Sequence, residues 1–283
     1  MIHTSRIFLD GGDPKETREI LALLGTLDGQ TTNPTLVSKN PEAQRCLVGE
    51  EKCTAEDIIG LYKNLVKDIS GLIPRGSVSI EVYADKDTSA DEMFAQAKEM
   101  WSWISNAHIK FPTTTAGLEA AERSIQSGMR VNMTLVFTQE QAGAVHAATR
   151  GARKGDVFVS PFVGRLDDMG ENGMDLIKNI RKMYDEAGSH VEILSASIRS
   201  LDHFLASLAY GADIITAPAK AIQEWVGAGK SSGAGHLYDS KALKPIPYKK
   251  LDLSEDWRKV DISHPLTEKG IERFASDWNA LIG

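Results

Sequence analysis

Eight short runs of strand-forming residues recur along this 283-residue chain, separated by longer segments with helical spacing of apolar positions. The runs are Arg6–Asp10, Gly29–Asn33, Ser77–Tyr83, Ala107–Phe111, Arg130–Val136, Asp156–Phe162, Val191–Ser197 and Asp213–Ala217. Several intervening segments open on helix-start signals. Asp13-Pro14-Lys15-Glu16 offers an N-cap, a proline at the first helical position and an acid in the first turn. Thr54-Ala55-Glu56-Asp57 and Thr138-Gln139-Glu140-Gln141 open helices in the same way, the second as a capping box. Strict alternation predicts an α/β chain: a single-domain (β/α)8 TIM barrel with an extra C-terminal helix. A doubly wound open sheet is the alternative.

The barrel is assigned to residues 1–226. Residues 227–283 are read as a loop followed by an amphipathic helix, Pro265–Ile282, that packs on the barrel or on a neighbouring subunit. The stretch Gly227–Asp261 starts glycine-rich and continues with prolines and scattered charge, so it reads as a flexible loop or a surface crossing. Its Gly229-Lys230-Ser231 fragment is like the end of a phosphate-binding P-loop. That motif needs a glycine five positions before Gly229, where this chain has Glu224, and no strand runs directly into it.

The net charge of −7 argues against a nucleic-acid partner, which needs a basic face, but leaves room for a small anionic substrate held by local arginines. No apolar run reaches the about 18 residues of a membrane span, and Met1–Arg6 lacks the layout of a signal peptide. Cys46 and Cys53 have no metal-ligand spacing and no disulfide framework, which reads as a reducing cytosol. A cytoplasmic protein without metal or cofactor is expected.

Side chains alternate faces along a strand. Asp10 lies opposite Ile7 and Leu9, Glu81 opposite Ile80 and Val82, and Lys110 opposite Ile109 and Phe111. Asn132 and Thr134 share a face; so do Ser160 and Phe162, and Ser195, Ser197 and Arg199. Taken singly, such a lysine ordinarily snorkels to water and such a glutamate makes a surface pair. Their shared position at the C-terminal ends of the strands favours one rim, where barrel active sites assemble. The chemistry this set supports is covalent. A neutral lysine amine can attack a ketone, and the resulting iminium is an electron sink that lets a carbon–carbon bond break without a metal. Asp10 and Glu81 are candidates for proton transfer, and arginines for a bidentate grip on phosphate. The seven histidines are scattered and read as structural or solvated.

Six segments, in order, resemble motifs of the transaldolase family: Phe8-Leu9-Asp10-Gly11-Gly12-Asp13, Thr31-Thr32-Asn33-Pro34-Thr35, Ile109-Lys110-Phe111-Pro112, Asn132-Met133-Thr134-Leu135-Val136-Phe137, Ser160-Pro161-Phe162-Val163-Gly164-Arg165 and Ser195-Ala196-Ser197-Ile198-Arg199. The resemblance implies that Lys110 is the Schiff-base lysine and Asp10 the acid/base at the C4 hydroxyl. It implies that Glu81 works through a water with Thr134. Asn33 and Asn132 would hold dihydroxyacetone hydroxyls, with Ser160 beside them, and Arg165, Ser197 and Arg199 would bind phosphate. The implied reaction transfers a dihydroxyacetone unit from fructose 6-phosphate or sedoheptulose 7-phosphate to an aldose phosphate in the pentose phosphate pathway. Sugar phosphates are then the small-molecule partners, and a homo-oligomer is expected. Related fructose-6-phosphate aldolases carry Gln where this chain has Glu81 and Tyr where it has Phe162, so the resemblance favours transfer over release of dihydroxyacetone. An aldolase, a sulfosugar transaldolase of the same fold and an inactive sugar-phosphate-binding barrel are the rival readings.

Overall fold

The computed structural model describes residues 5–48, 53–240 and 242–282. Eight strands are present: β1 (Arg6–Asp10), β2 (Gly29–Thr31), β3 (Ser77–Glu81), β4 (Ala107–Pro112), β5 (Val131–Val136), β6 (Val157–Pro161), β7 (Glu192–Ser195) and β8 (Ile214–Ala217). All pair in parallel with their sequence neighbours, and β8 pairs with β1, so the sheet closes into a (β/α)8 barrel. The open-sheet alternative is thereby removed.

The helices are α1 (Pro14–Leu24), α2 (Pro34–Ser38), α3 (Pro41–Val48), α4 (Ala55–Leu72), α5 (Ala90–Trp101), α6 (Thr115–Gln126), α7 (Gln139–Ala148), α8 (Val163–Asp168), α9 (Gly173–Ala187), α10 (Leu201–Ala209), α11 (Ala219–Gly227) and α12 (Pro265–Asn279). The start signals read from sequence are in place. Asp13 accepts from the Lys15 amide, and Thr54 and Thr138 each complete a capping box. Four strands end earlier than their β propensity suggested, β2, β3 and β7 by two residues and β6 by one. β2 stops at Thr31 because Asn33 turns to cap α2 through the Leu36 amide at 2.9 Å, and β3 stops at Glu81.

The lower barrel is filled by side chains. Phe8 meets Phe158 edge-on at 6.0 Å, His108 stacks on Phe158 at 4.0 Å, and Arg6 pairs with Glu192 at 2.6 Å. Gly29 is needed here, since a Cβ would come within 2.5 Å of the Phe8 ring. Burial pushes the His108 imidazole down to about 3, so it is neutral and structural. With the lower barrel packed, open space is left at the upper end.

The segment after α11 crosses the outside of the barrel and is tied down along its length. Lys244 exchanges backbone hydrogen bonds with Gly170 and Asn172, Gln139 pairs with the Lys249 backbone, and Arg150 donates to the Leu253 and Glu255 carbonyls. Gly229-Lys230-Ser231 follows a helix and does not precede one, which rules out the P-loop arrangement. The crossing delivers α12 to the top of the barrel, where it packs on α2 and β5 through Leu266, Ile271, Phe274 and Trp278. Among the described residues, no helix is long and apolar enough to cross a membrane.

The cysteine reading is corrected. Cys46, near the end of α3, and Cys53, before α4, have Cα atoms 5.3 Å apart and form a disulfide. Sequence spacing could not reveal that the two helix ends meet, and the inference of a reducing compartment loses its support.

Candidate active site

A cavity of ≈ 320 Å³ opens at the C-terminal end of the barrel. Asp10, Asn33, Lys110, Thr134, Ser160, Phe162, Arg165, Ser197 and Arg199 all line it, so nine of the eleven residues singled out from sequence converge on one space. Glu81 and Asn132 stand behind its wall. Glu81 lies next to Lys110 across the β3–β4 register, and Asn132 is fully buried beneath Ser160, accepting its hydroxyl at 2.6 Å and donating to Ser79 at 3.1 Å.

Lys110 does not snorkel. It is 3% exposed and Glu81 4%, with the amine 2.9 Å from a Glu81 oxygen and donating to the Thr32 carbonyl at 3.1 Å. Burial raises the Glu81 carboxyl above its ordinary range, against the pull of Lys110. Asp10 is raised by burial as well, opposed by Lys110 and by the Thr31 hydroxyl that donates to it at 2.7 Å. Two carboxyls with heightened proton affinity thus flank one amine. Such carboxyls are suited to taking up a proton and returning it to a reacting group. The Thr134 hydroxyl is buried without a hydrogen-bond partner among the described residues, so it is available to a water or a substrate hydroxyl.

The opposite wall is cationic. The Arg165 guanidinium lies 5.1 Å over the Phe162 ring and 5.5 Å over Phe274. Burial, then the nearby Arg273 and Arg199, lower its proton affinity. Three guanidiniums that repel one another at the mouth of a pocket form a ready site for an anion with several acceptor oxygens. Ser197 enters this wall through a left-handed backbone, φ 61°. That turn corrects the parity reading of β7. Ser195 points outward to Ser207 of α10 at 2.9 Å, while Leu194 and Ala196 face the cavity. Gly164 permits the close approach, since a Cβ would fall 2.3 Å from the Ser197 carbonyl oxygen.

Sequence reasoning missed Thr31, Thr216, Lys39 and Arg273. Thr31 bridges Asp10 and Thr216, at 2.7 and 2.6 Å, and could have been found from its register opposite Asp10. Lys39 lines the cavity and its charge acts on Asp10. Arg273 and Phe274 arrive on α12, about which strand patterning says nothing. Gly270 lets that helix settle over the site, since a Cβ there would meet Leu135 at 2.6 Å and Arg165 at 2.8 Å.

The profile of the Transaldolase/Fructose-6-phosphate aldolase family matches residues 7–283. A Dehalococcoides mccartyi protein named "Probable transaldolase" is 35% identical over 276 residues, covering 98% of this chain and 99% of its own length. A Lactiplantibacillus plantarum protein of the same name is 34% identical, with 98% and 97% covered. One from Brucella ovis is 35% identical, with 96% of each chain covered. With a family match over almost its whole length, the chain belongs to the transaldolase/fructose-6-phosphate aldolase family.

Proposed function

We propose that the protein is a transaldolase that moves a dihydroxyacetone unit from a ketose phosphate to an aldose phosphate through a Schiff base on Lys110. The observation that carries this reading is the buried Lys110–Glu81 pair, 2.9 Å apart, at the floor of a cavity whose far wall holds three arginines. A buried amine beside a carboxyl of raised proton affinity can pass its proton to that carboxyl and attack the ketone carbon. Loss of water from the carbinolamine gives the iminium, with Glu81 and Thr134 managing the proton transfers through a water. Asp10 takes the proton of the C4 hydroxyl and the C3–C4 bond breaks, its electrons passing to the iminium to form an enamine. An aldose phosphate then replaces the departing aldehyde, the enamine attacks it, and Asp10 returns the proton to the new alkoxide. Hydrolysis frees the product and Lys110.

Phosphate would sit against Arg165, Arg199 and Ser197, with Arg273 added to that set. Glu81 and Phe162 favour transfer over aldol release. Fructose 6-phosphate and erythrose 4-phosphate, as in the pentose phosphate pathway, are the substrates of this reading, carried out by a cytoplasmic homo-oligomer. Borohydride reduction in the presence of fructose 6-phosphate should leave a dihydroxyacetone-derived mass on the Lys110 peptide. Absence of that adduct in active protein sinks the covalent mechanism. Product analysis with and without an acceptor separates transfer from release.

A further inference from the structure

Behind the arginine wall lies a buried polar chain that the proposed chemistry does not use. His203 of α10 is 4% exposed. Its Nδ1 accepts the Arg199 backbone N–H at 3.2 Å, and its Nε2 lies 2.7 Å from Asp167 of α8 and 2.8 Å from the Tyr238 hydroxyl. Tyr238 belongs to the crossing after α11. Its hydroxyl donates to the same Asp167 oxygen, and its ring stacks on His203 at 5.2 Å. The other Asp167 oxygen accepts the Gly173 amide at 2.9 Å. The crossing is pinned beside this point by His236, 2.5 Å from Asp202, and by the Tyr238 amide donating to the Tyr210 hydroxyl at 3.0 Å.

These contacts admit one state of His203. A nitrogen that accepts an amide hydrogen carries no proton, so Nδ1 is bare and Nε2 bears the hydrogen that goes to Asp167. Burial works against the Asp167 charge, but hydrogen bonds from His203, Tyr238 and the Gly173 amide hold its carboxyl below the usual range. It remains an acceptor and keeps the tautomer in place. The loop so held is one that needs holding. Ser197 is left-handed, Gly164 is pressed against the Ser197 carbonyl and the Arg199 side chain, and Arg199 pairs with the exposed Asp168 at 2.8 Å.

We propose that Tyr238, Asp167 and His203 form a positioning relay that fixes the Arg199 backbone for a phosphate-bearing substrate, and that seating this relay is a task of the crossing after α11. The inference rests on reading Arg165, Ser197 and Arg199 as the phosphate site. The three relay residues touch no reacting atom; they act through Arg199.

Asp167→Asn is the discriminating variant. Its Oδ1 can keep the Gly173 amide while its Nδ2 becomes a donor facing His203 Nε2. The imidazole must then carry its hydrogen on Nδ1, where it opposes the Arg199 N–H. Side-chain 15N NMR of His203 should show the tautomer change. KM for fructose 6-phosphate and Kd for inorganic phosphate should each rise about tenfold, the scale of one lost hydrogen bond in a binding loop. The kcat value, and Schiff-base trapping with unphosphorylated dihydroxyacetone, should stay within about twofold. Tyr238→Phe, which keeps the ring stack, should move the phosphate terms in the same direction by a smaller factor. A tautomer change without loss of phosphate affinity overturns the relay. So does equal loss for phosphorylated and unphosphorylated ligands, or an effect confined to kcat. If Asp167→Asn does not fold, unchanged phosphate affinity in Tyr238→Phe has the same consequence. Arg199→Ala guards the underlying reading. If it weakens both ligand classes equally, the phosphate site itself is wrong; if it is selective while Asp167→Asn is not, only the relay fails.

Discussion

The Lys110 amine and the Glu81 carboxylate lie 2.9 Å apart on adjoining strands with almost no solvent contact. A buried ion pair is a poor source of stability, because desolvation offsets most of the attraction. In the mechanism proposed above its value is chemical: Glu81 takes a proton from the amine, which then attacks the ketone.

Lys110→Met should therefore abolish borohydride trapping and reduce turnover at least about a thousandfold. It also leaves Glu81 buried without its nearest counter-charge. The Glu81 carboxyl, already raised by burial, should rise further, so the native state holds a proton that the unfolded chain releases near the ordinary 4.5. Stability contributed by that proton is present at low pH and lost as pH rises through the folded value. The variant should trail the wild type more at pH 8 than at pH 5, by up to about 3 kcal/mol. A urea-unfolding difference that is flat with pH contradicts the account.

Asp10→Asn separates stability from activity. In the wild type, burial raises Asp10 above its ordinary 3.8, so its contribution is fully present below that value and lost as pH rises through the folded one. Asparagine can still accept from Thr31 and carries no charge. The variant should gain on the wild type by about 1 kcal/mol at neutral pH, with the gain fading in acid, while carbon–carbon cleavage falls by about 100-fold or more. Thermal melts across pH, paired with single-turnover cleavage, check both halves.

Thr134→Val keeps the shape and removes a buried hydroxyl that has no partner among the described residues. Stability should change by less than about 1 kcal/mol, since no protein hydrogen bond is lost. If that hydroxyl holds the water that serves Glu81, kcat should drop by about 10- to 100-fold with KM little changed. Retained kcat removes Thr134 from the mechanism.

Arg273 is largely exposed on α12, 3.8 Å from Asp277 one turn along the helix. Arg273→Ala should leave stability within about 0.5 kcal/mol. As the third cation of the anion wall, it should raise KM for phosphorylated ketoses about tenfold, and the effect should shrink at high salt. An unchanged KM removes α12 from substrate binding.

The barrel was legible because its signals are local. Period-two runs, capping residues such as Asp13, Thr54 and Thr138, and the alternation of strand with helix each follow from a few neighbouring residues. The floor of the candidate site was legible for a related reason. Strand parity alone sends Asp10, Lys110, Thr134 and Ser160 into the barrel, and closure brings their strand ends together. Where the backbone leaves regular geometry, parity fails. Ser195 faces α10, and Ser197 reaches the cavity only through its left-handed turn. Contacts made across the chain carry no local mark either. Arg273 meets Arg165 because the crossing between α11 and α12 carries α12 over the rim, and Tyr238 meets Asp167 by the same route. The sequence by itself determined the strands, the inward faces of β1, β4, β5 and β6, and the lysine at the floor, since period and capping are short-range physics. Tertiary structure decided the burial of Lys110 against Glu81 and the completion of the cationic wall, since each depends on how distant segments pack.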